Sequence, residues 1–174
     1  EWVEEAEKRG LPNLKTTPDA LPCFKSEKSI KMFEAQGVFS RVEVETRGAI
    51  MMEEYNKTLH IEMLTMLEMA KKQLLPAAIS FTGSLAQTLA AKKTIGMSVE
   101  NDAAFLLADN LTKLTNEMYQ KIDNLDKAVA GAKNVTEGQD LAFYTKDNIL
   151  SAMNELRAVA DEIETDMSED FIPY

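Results

Sequence analysis

Few residues in this chain have types and spacings that could do chemistry. His60 is the only histidine and Cys23 the only cysteine among 174 residues. Acid–base or metal work asks a histidine for a partner, and a di-iron helical bundle asks for Glu-x-x-His pairs on facing helices. The residue three before His60 is Lys57, so His60 reads as a surface or boundary residue. Cys23 has no histidine at useful distance and nothing in the sequence marks it as an activated thiol. The carboxylates of Glu43 and Glu45, and of Glu53 and Glu54, have the proximity of metal ligands, but solvated helix faces of an acidic protein collect such pairs. No glycine-rich phosphate loop, paired-cysteine zinc motif or nucleophile elbow is present. The sequence therefore assigns no catalytic, cofactor-binding or metal-binding residue.

The charge balance narrows the partners. Nineteen basic against twenty-nine acidic residues give a net charge of −10, which repels phosphate backbones and anionic lipid. Neither nucleic acid nor a membrane is expected, since no unbroken apolar run approaches the roughly twenty residues of a span. Hydrophobic residues at 45% and charged residues at 28% are the composition of a globular domain. A single cysteine fits a reducing compartment, so the cytoplasm is the expected location. The chain opens in mid-pattern on Glu-Trp-Val-Glu-Glu without methionine and closes on the apolar Phe171, Ile172, Pro173 and Tyr174, as expected of a fragment of something longer. The two Asn-x-Thr sequons, at Asn56 and Asn134, carry no weight in a chain with no sign of secretion.

The elements that must position these side chains read as helices. Residues 1–9 predict a short helix closed by Gly10. Residues 11–25 hold three prolines and predict an ordered connector, with at most a single turn at Thr17-Pro18. Ser26 predicts the cap of a helix of about ten residues with Ile30, Phe33 and Met32 inward, stopped by Gly37. Ser40 and Glu43 form a capping box, with Phe39 and Val44 at the staple positions. A long helix then carries Ile50, Tyr55, Leu59, Met63, Met66 and Ala70, and Pro76 either kinks or ends it. The pattern resumes through Ile79, Leu85, Leu89 and Ala90 to Gly96. Ser98 is a plausible cap for a helix to about residue 133, with its seam on Leu107, Leu111, Leu114, Met118, Ile122, Leu125 and Val129. Thr136 and Gln139 predict a capping box for the last long helix, which carries Ile149, Met153, Leu156, Ala160 and Ile163. The ten methionines fit core filling better than an adaptable groove. Such helices, joined by short loops, bury their seams by lying antiparallel. The expected fold is all-α: an antiparallel bundle of three to four long helices over residues 26–174, preceded at residues 1–25 by a short helix and a proline-rich connector.

Four stretches in this order are more specific: Gly10-Leu-Pro-Asn-Leu-Lys-Thr-Thr-Pro-Asp-Ala-Leu-Pro22, Ile61-Glu-Met-Leu-Thr-Met-Leu-Glu-Met-Ala-Lys-Lys-Gln-Leu-Leu-Pro-Ala77, Met153-Asn-Glu-Leu-Arg-Ala-Val-Ala-Asp-Glu-Ile-Glu164 and Phe171-Ile-Pro-Tyr174. Together they resemble the C-terminal region of the type III glutamine synthetases over essentially the whole chain. The resemblance implies a parent that joins ammonia to glutamate with ATP, through a γ-glutamyl phosphate, with magnesium or manganese in the site. It also implies a cytoplasmic homo-oligomer of stacked rings, with the upstream catalytic domain and neighbouring subunits as partners. The family's metal, ATP and glutamate contacts lie upstream of Glu1, so none maps onto a residue here, and the fragment is expected to be inactive. The competing expectations are a stand-alone helical interaction module and a regulatory domain that senses a small molecule. The apolar residues of the two ends, Trp2, Val3, Leu11, Leu14 and Leu21 with Phe171, Ile172 and Tyr174, are expected to dock against the catalytic domain.

Overall fold

The computed structural model describes residues 1–100 and 102–173; Tyr174 of the terminal apolar stretch lies outside them. The protein is all-α, with 81% of residues helical and no strand among those described. It divides into two compact units, Glu1–His60 with Asn134–Asp147, and Ile61–Lys133 with Asn148–Tyr174.

The first unit begins with α1 (Trp2–Lys8). The second helix, α2 (Thr17–Phe24), corrects the expected connector, because Pro22 sits inside it. Pro18 in the first turn needs no donor and presets the helical φ. An eight-residue helix has few intrahelical bonds for Pro22 to remove, and burial of Pro18 and Leu21 outweighs that loss. Ser26 caps α3 (Glu27–Ala35) by accepting from the Ser29 amide at 3.3 Å. Ile30 is buried, Phe33 stacks edge-on with Phe24 and Phe39, and Met32 points to solvent against expectation. Gly37, at φ 67°, ends α3 in a conformation costly for other residues.

The Ser40 capping box forms as predicted. The Ser40 amide donates to Glu43 Oε2 at 2.8 Å, and the Glu43 amide returns to Ser40 Oγ at 3.4 Å. It opens α4 (Arg41–Met69). Of the predicted seam Met63 and, just past the helix, Ala70 are buried; Val44, Gly48, Met52 and Leu67 are buried besides, while Ile50 is exposed. Gly48 is inward because the stem of Lys25 lies across it; an added Cβ would stand 2.6 Å from Lys25 Cδ. Helix α7 (Gln139–Tyr144) starts after Gly138 at φ 91°, with no side-chain cap. Thr136 therefore does not cap; its carbonyl accepts from the Leu141 amide at 3.1 Å. Leu21, Met52 and Ala142 form the small core of this unit, with Tyr55 packed against it.

In the second unit, Pro76 does not end the helix. A π turn, Ala70–Leu74, leads directly into α5 (Leu75–Thr94). Asp102, not Ser98, caps α6 (Ala103–Ala132), accepting from the Ala104 amide at 2.9 Å. A second π turn, Thr145–Ile149, precedes α8 (Leu150–Asp166), and a 3-10 turn, Glu169–Phe171, follows it.

The pairings along α6 set its neighbours. Lys92 meets Asp102 at 2.7 Å near the C-terminal end of α5, and Lys71, in the π turn before its N-terminal end, pairs with Asp126. Lys121 meets Glu155 at 3.0 Å, and Asn110 donates to Asp166 at 2.8 Å. Both α5 and α8 therefore run antiparallel to α6. The predicted α6 seam is buried at Leu111, Leu114, Met118, Ile122 and Leu125, and that of α8 at Ile149, Met153, Leu156 and Ile163. Each such side chain contributes about 1.5–3 kcal/mol on burial.

An 18-residue window within the helical stretch Arg41–Thr94 has mean hydropathy 1.3, long and apolar enough by composition to cross a membrane, and 17% of it is buried. Residues 73–91 contain no charged side chain, yet serine, threonine, glycine and glutamine interrupt the run.

Candidate functional site

The residues first considered for chemistry do not converge. His60 and Cys23 are exposed, and Cys23 is a free thiol on α2. Glu43 is held in its capping box, where the Ser40 amide and hydroxyl keep its carboxyl below the usual range. Glu45 lies 3.8 Å from Arg41, and Glu53 pairs with Lys57 at 2.5 Å on the wet side of α4. Among the described residues, no three His, Cys, Asp or Glu side chains gather as a metal-binding set.

The densest polar cluster lies in the first unit and was not anticipated. The π turn at residues 145–149 carries Lys146, whose Nζ donates to Asp19 Oδ1 on α2 at 2.9 Å and lies 3.3 Å from Asp147. The same ammonium sits 5.1 Å from the centroid of the Phe143 ring, a cation–π distance. Thr16 Oγ1 donates to the other Asp19 oxygen at 2.6 Å. On the adjoining α4, Asn56 Nδ2 donates to the Gly138 carbonyl at 3.2 Å, while the Tyr55 hydroxyl and Asn56 Oδ1 are buried without protein partners. Asp19 and Lys146 are 127 positions apart in the chain, so no local spacing could have revealed the pair.

Electrostatics make this cluster a latch. The Thr16 hydroxyl and then the Lys146 ammonium hold the Asp19 carboxyl below its ordinary value of 3.8. Asp19 in turn raises Lys146 above its ordinary 10.5, so the amine stays protonated at neutral pH and is no nucleophile or base there. Burial raises the Tyr55 hydroxyl against the opposing pull of Lys146. What the arrangement can do is tie α2 to Lys146 of the turn, while Asn56 ties α4 to the Gly138 carbonyl ahead of α7.

The titration of this latch has a definite sign. The depressed Asp19 carboxyl contributes stability that is present above its unfolded value and lost as pH falls through its lower folded one. The raised Lys146 contributes stability present below about 10.5 and lost as pH climbs through its higher folded value. Lys146→Met should therefore lower Tm across the range between, and its difference from the parent chain should close in strong acid. Thermal melts of the two proteins against pH measure this; a gap that stays constant into acid excludes the latch.

The geometry thus defines an all-α domain held by antiparallel helix seams and by ion pairs that fasten its elements. Residues 1–93 match the family model described as the glutamine synthetase C-terminal domain. The chain is 37% identical over 177 residues to a glutamine synthetase of Butyrivibrio fibrisolvens, an alignment covering 100% of this chain and 25% of that protein. It is 28% identical over 171 residues to a type-3 glutamine synthetase of Dictyostelium discoideum, covering 94% of this chain and 23% of the relative. A glutamine synthetase of Bacteroides fragilis (strain YCH46) is 23% identical over 177 residues, with 99% and 24% covered. The chain spans about a quarter of the length of these curated relatives. It belongs to the glutamine synthetase C-terminal domain family.

Proposed function

We propose that this chain is the C-terminal structural and assembly domain of a type III glutamine synthetase, whose full-length parent makes glutamine from glutamate, ammonia and ATP. The observation that supports the reading is the end-to-end match of this chain to a stretch that makes up 25% of a glutamine synthetase. The parent's partners on this reading are its own catalytic domain and neighbouring subunits of a ring-like homo-oligomer in the cytoplasm. Trp2, Val3, Leu11 and Leu14 are exposed and would give the catalytic domain an apolar surface to dock on; Leu21, expected among them, is instead buried within the first unit.

Phosphoryl transfer needs converging carboxylates, cations and positioned donors. Among the described residues no three His, Cys, Asp or Glu side chains gather as a metal-binding set, and on this reading the groups that hold the nucleotide and metal belong to the parent's catalytic domain. The purified chain should make no glutamine from glutamate, ammonia and ATP in a coupled assay of nucleotide turnover. Metal-dependent turnover by a clean preparation sinks that reading. Removing the residues corresponding to this chain from the parent should break up the oligomer, and an unchanged oligomeric mass overturns the assembly role.

A further inference from the structure

Where α5 passes into α6, the second unit gathers four large apolar side chains in water. Ile95 is 74% exposed, Met97 53%, Phe105 49% and Leu106 56%. The first two follow α5, where Gly96 at φ 82° lets the Met97 amide donate back to the Lys92 carbonyl at 3.0 Å. The other two sit in the first turn of α6, and the Lys92–Asp102 pair at 2.7 Å fastens the two helix ends. Leu106 lies one turn, about 5.4 Å, ahead of Asn110 on the same face of α6, and Asn110 donates to Asp166 at 2.8 Å. The apolar tip is therefore flanked by the C-terminal end of α8. Residues 161–170 of that end hold six carboxylates and no basic residue, on a chain whose net charge is −10. They gather where a helix already presents its negative pole, with no basic side chain in the last turn to answer it. A local arrangement that opposes folding, beside an apolar patch left in water, marks a surface kept for contact.

We propose that this end of the second unit docks on the catalytic portion of its own parent chain, which meets it with an apolar centre rimmed by lysine or arginine. The inference rests on the assembly reading above and deepens it by naming one contact and its chemistry. Charge decides the occupant. A second copy of this domain would bring the same carboxylates against their like. Anionic lipid and nucleic acid meet the same repulsion. The relatives are about four times as long as this chain, so on that reading three quarters of the polypeptide is tethered to the domain, at an effective concentration that a free partner does not match. A basic rim offsets the charge collected at the end of α8 while the four apolar side chains leave water, the usual division between the rim and core of an interface.

Met97 reports on this face directly, because an exposed methionine is oxidised to the sulfoxide by peroxide and a covered one is protected. Peptide mass spectrometry of the full-length parent and of the 174-residue chain should find Met97 oxidised about tenfold more slowly in the parent. Asp161→Lys combined with Glu162→Lys should bring the parent's rate back to within about twofold of that of the free chain, by turning the acidic flank against a basic rim. Both residues are exposed, and cations suit a helix C-terminus, so the same exchange in the 174-residue chain should leave its helicity and its Met97 rate unchanged. Equal Met97 rates in the parent and the free chain show an uncovered tip and overturn the docking. Protection that survives the double exchange overturns the basic partner. Protection that develops in the free chain between about 1 and 100 µM assigns the face to a second copy, and protection lost when the parent is diluted to single subunits assigns it to a neighbouring subunit; either defeats the proposal. A parent whose oligomer breaks up on deletion of the domain while Met97 stays reactive keeps the assembly reading and loses this one.

Discussion

Truncating Leu125 to alanine should destabilise the chain by about 3 kcal/mol, the middle of the range for a large-to-small change in a well-packed core. Leu125 is 0% exposed and lies on the buried seam of α6, which packs against α5 on one side and α8 on the other. Two rigid neighbours limit how far the site can collapse around the missing methyls, so the cavity penalty adds to the lost transfer energy. Ion pairs flank the site, Lys121 with Glu155 on α8 and Lys71 of the first π turn with Asp126. At roughly 2–4 °C per kcal/mol for a domain of this size, Tm should fall by about 10 °C. Tyr119 supplies the control. It sits on the same helix at 65% exposure, and Tyr119→Ala should change stability by no more than about 0.5 kcal/mol. Urea denaturation followed by circular dichroism measures both; equal effects at the two positions would mean that the seam is not where the energy lies.

That contrast also explains which parts of the fold were legible. On α6 and α8 the apolar residues occupy one face in steps of three and four, and the predicted seam is the buried one. On α4 and α5, apolar residues stand on two opposite faces. Met52, Met63 and Leu67 are buried, while Ile50, Ile61, Leu64 and Ile79 are exposed, and periodicity alone cannot rank two stripes of similar strength. Methionine divided in the same way, with Met52, Met63 and Met118 in the core and Met32, Met51 and Met97 outside. Helix α2 was hidden by Pro22, whose local cost is overridden by burial of its neighbours. Helix starts were legible where a side chain caps, as at Ser26 and Ser40, and misplaced where another residue competes within a few positions, as at Ser98 and Asp102. The Asp19–Lys146 latch was beyond any local pattern, because it is made by the fold. Neither π turn left a sequence mark except, at Pro76, a proline that should have broken the helix.

Replacing that proline should strengthen the protein. Proline in a helix interior is about 3 kcal/mol less favourable than alanine, because it removes a donor and its ring crowds the carbonyl four residues back. The carbonyl in question belongs to Lys72, inside the π turn Ala70–Leu74. There the Leu75 amide reaches back five residues, to the Ala70 carbonyl. The wider π turn places the missing donor where the ladder steps from five-residue to four-residue bonds, and so removes part of the clash. Part of the penalty remains, since proline brings no donor to the ladder. Pro76 itself is exposed, so alanine there loses little packing. Pro76→Ala should therefore stabilise the chain by about 2 kcal/mol, less whatever conformational entropy the unfolded chain regains. Pro76→Gly separates the two contributions. It restores the donor but adds roughly 1 kcal/mol of helix penalty relative to alanine, so it should fall between the parent and the alanine variant. A loss of stability in Pro76→Ala would show that the proline holds the π turn open for the packing of Ala70 and Leu74, both buried, and that the turn is built for those contacts and not forced by the ring.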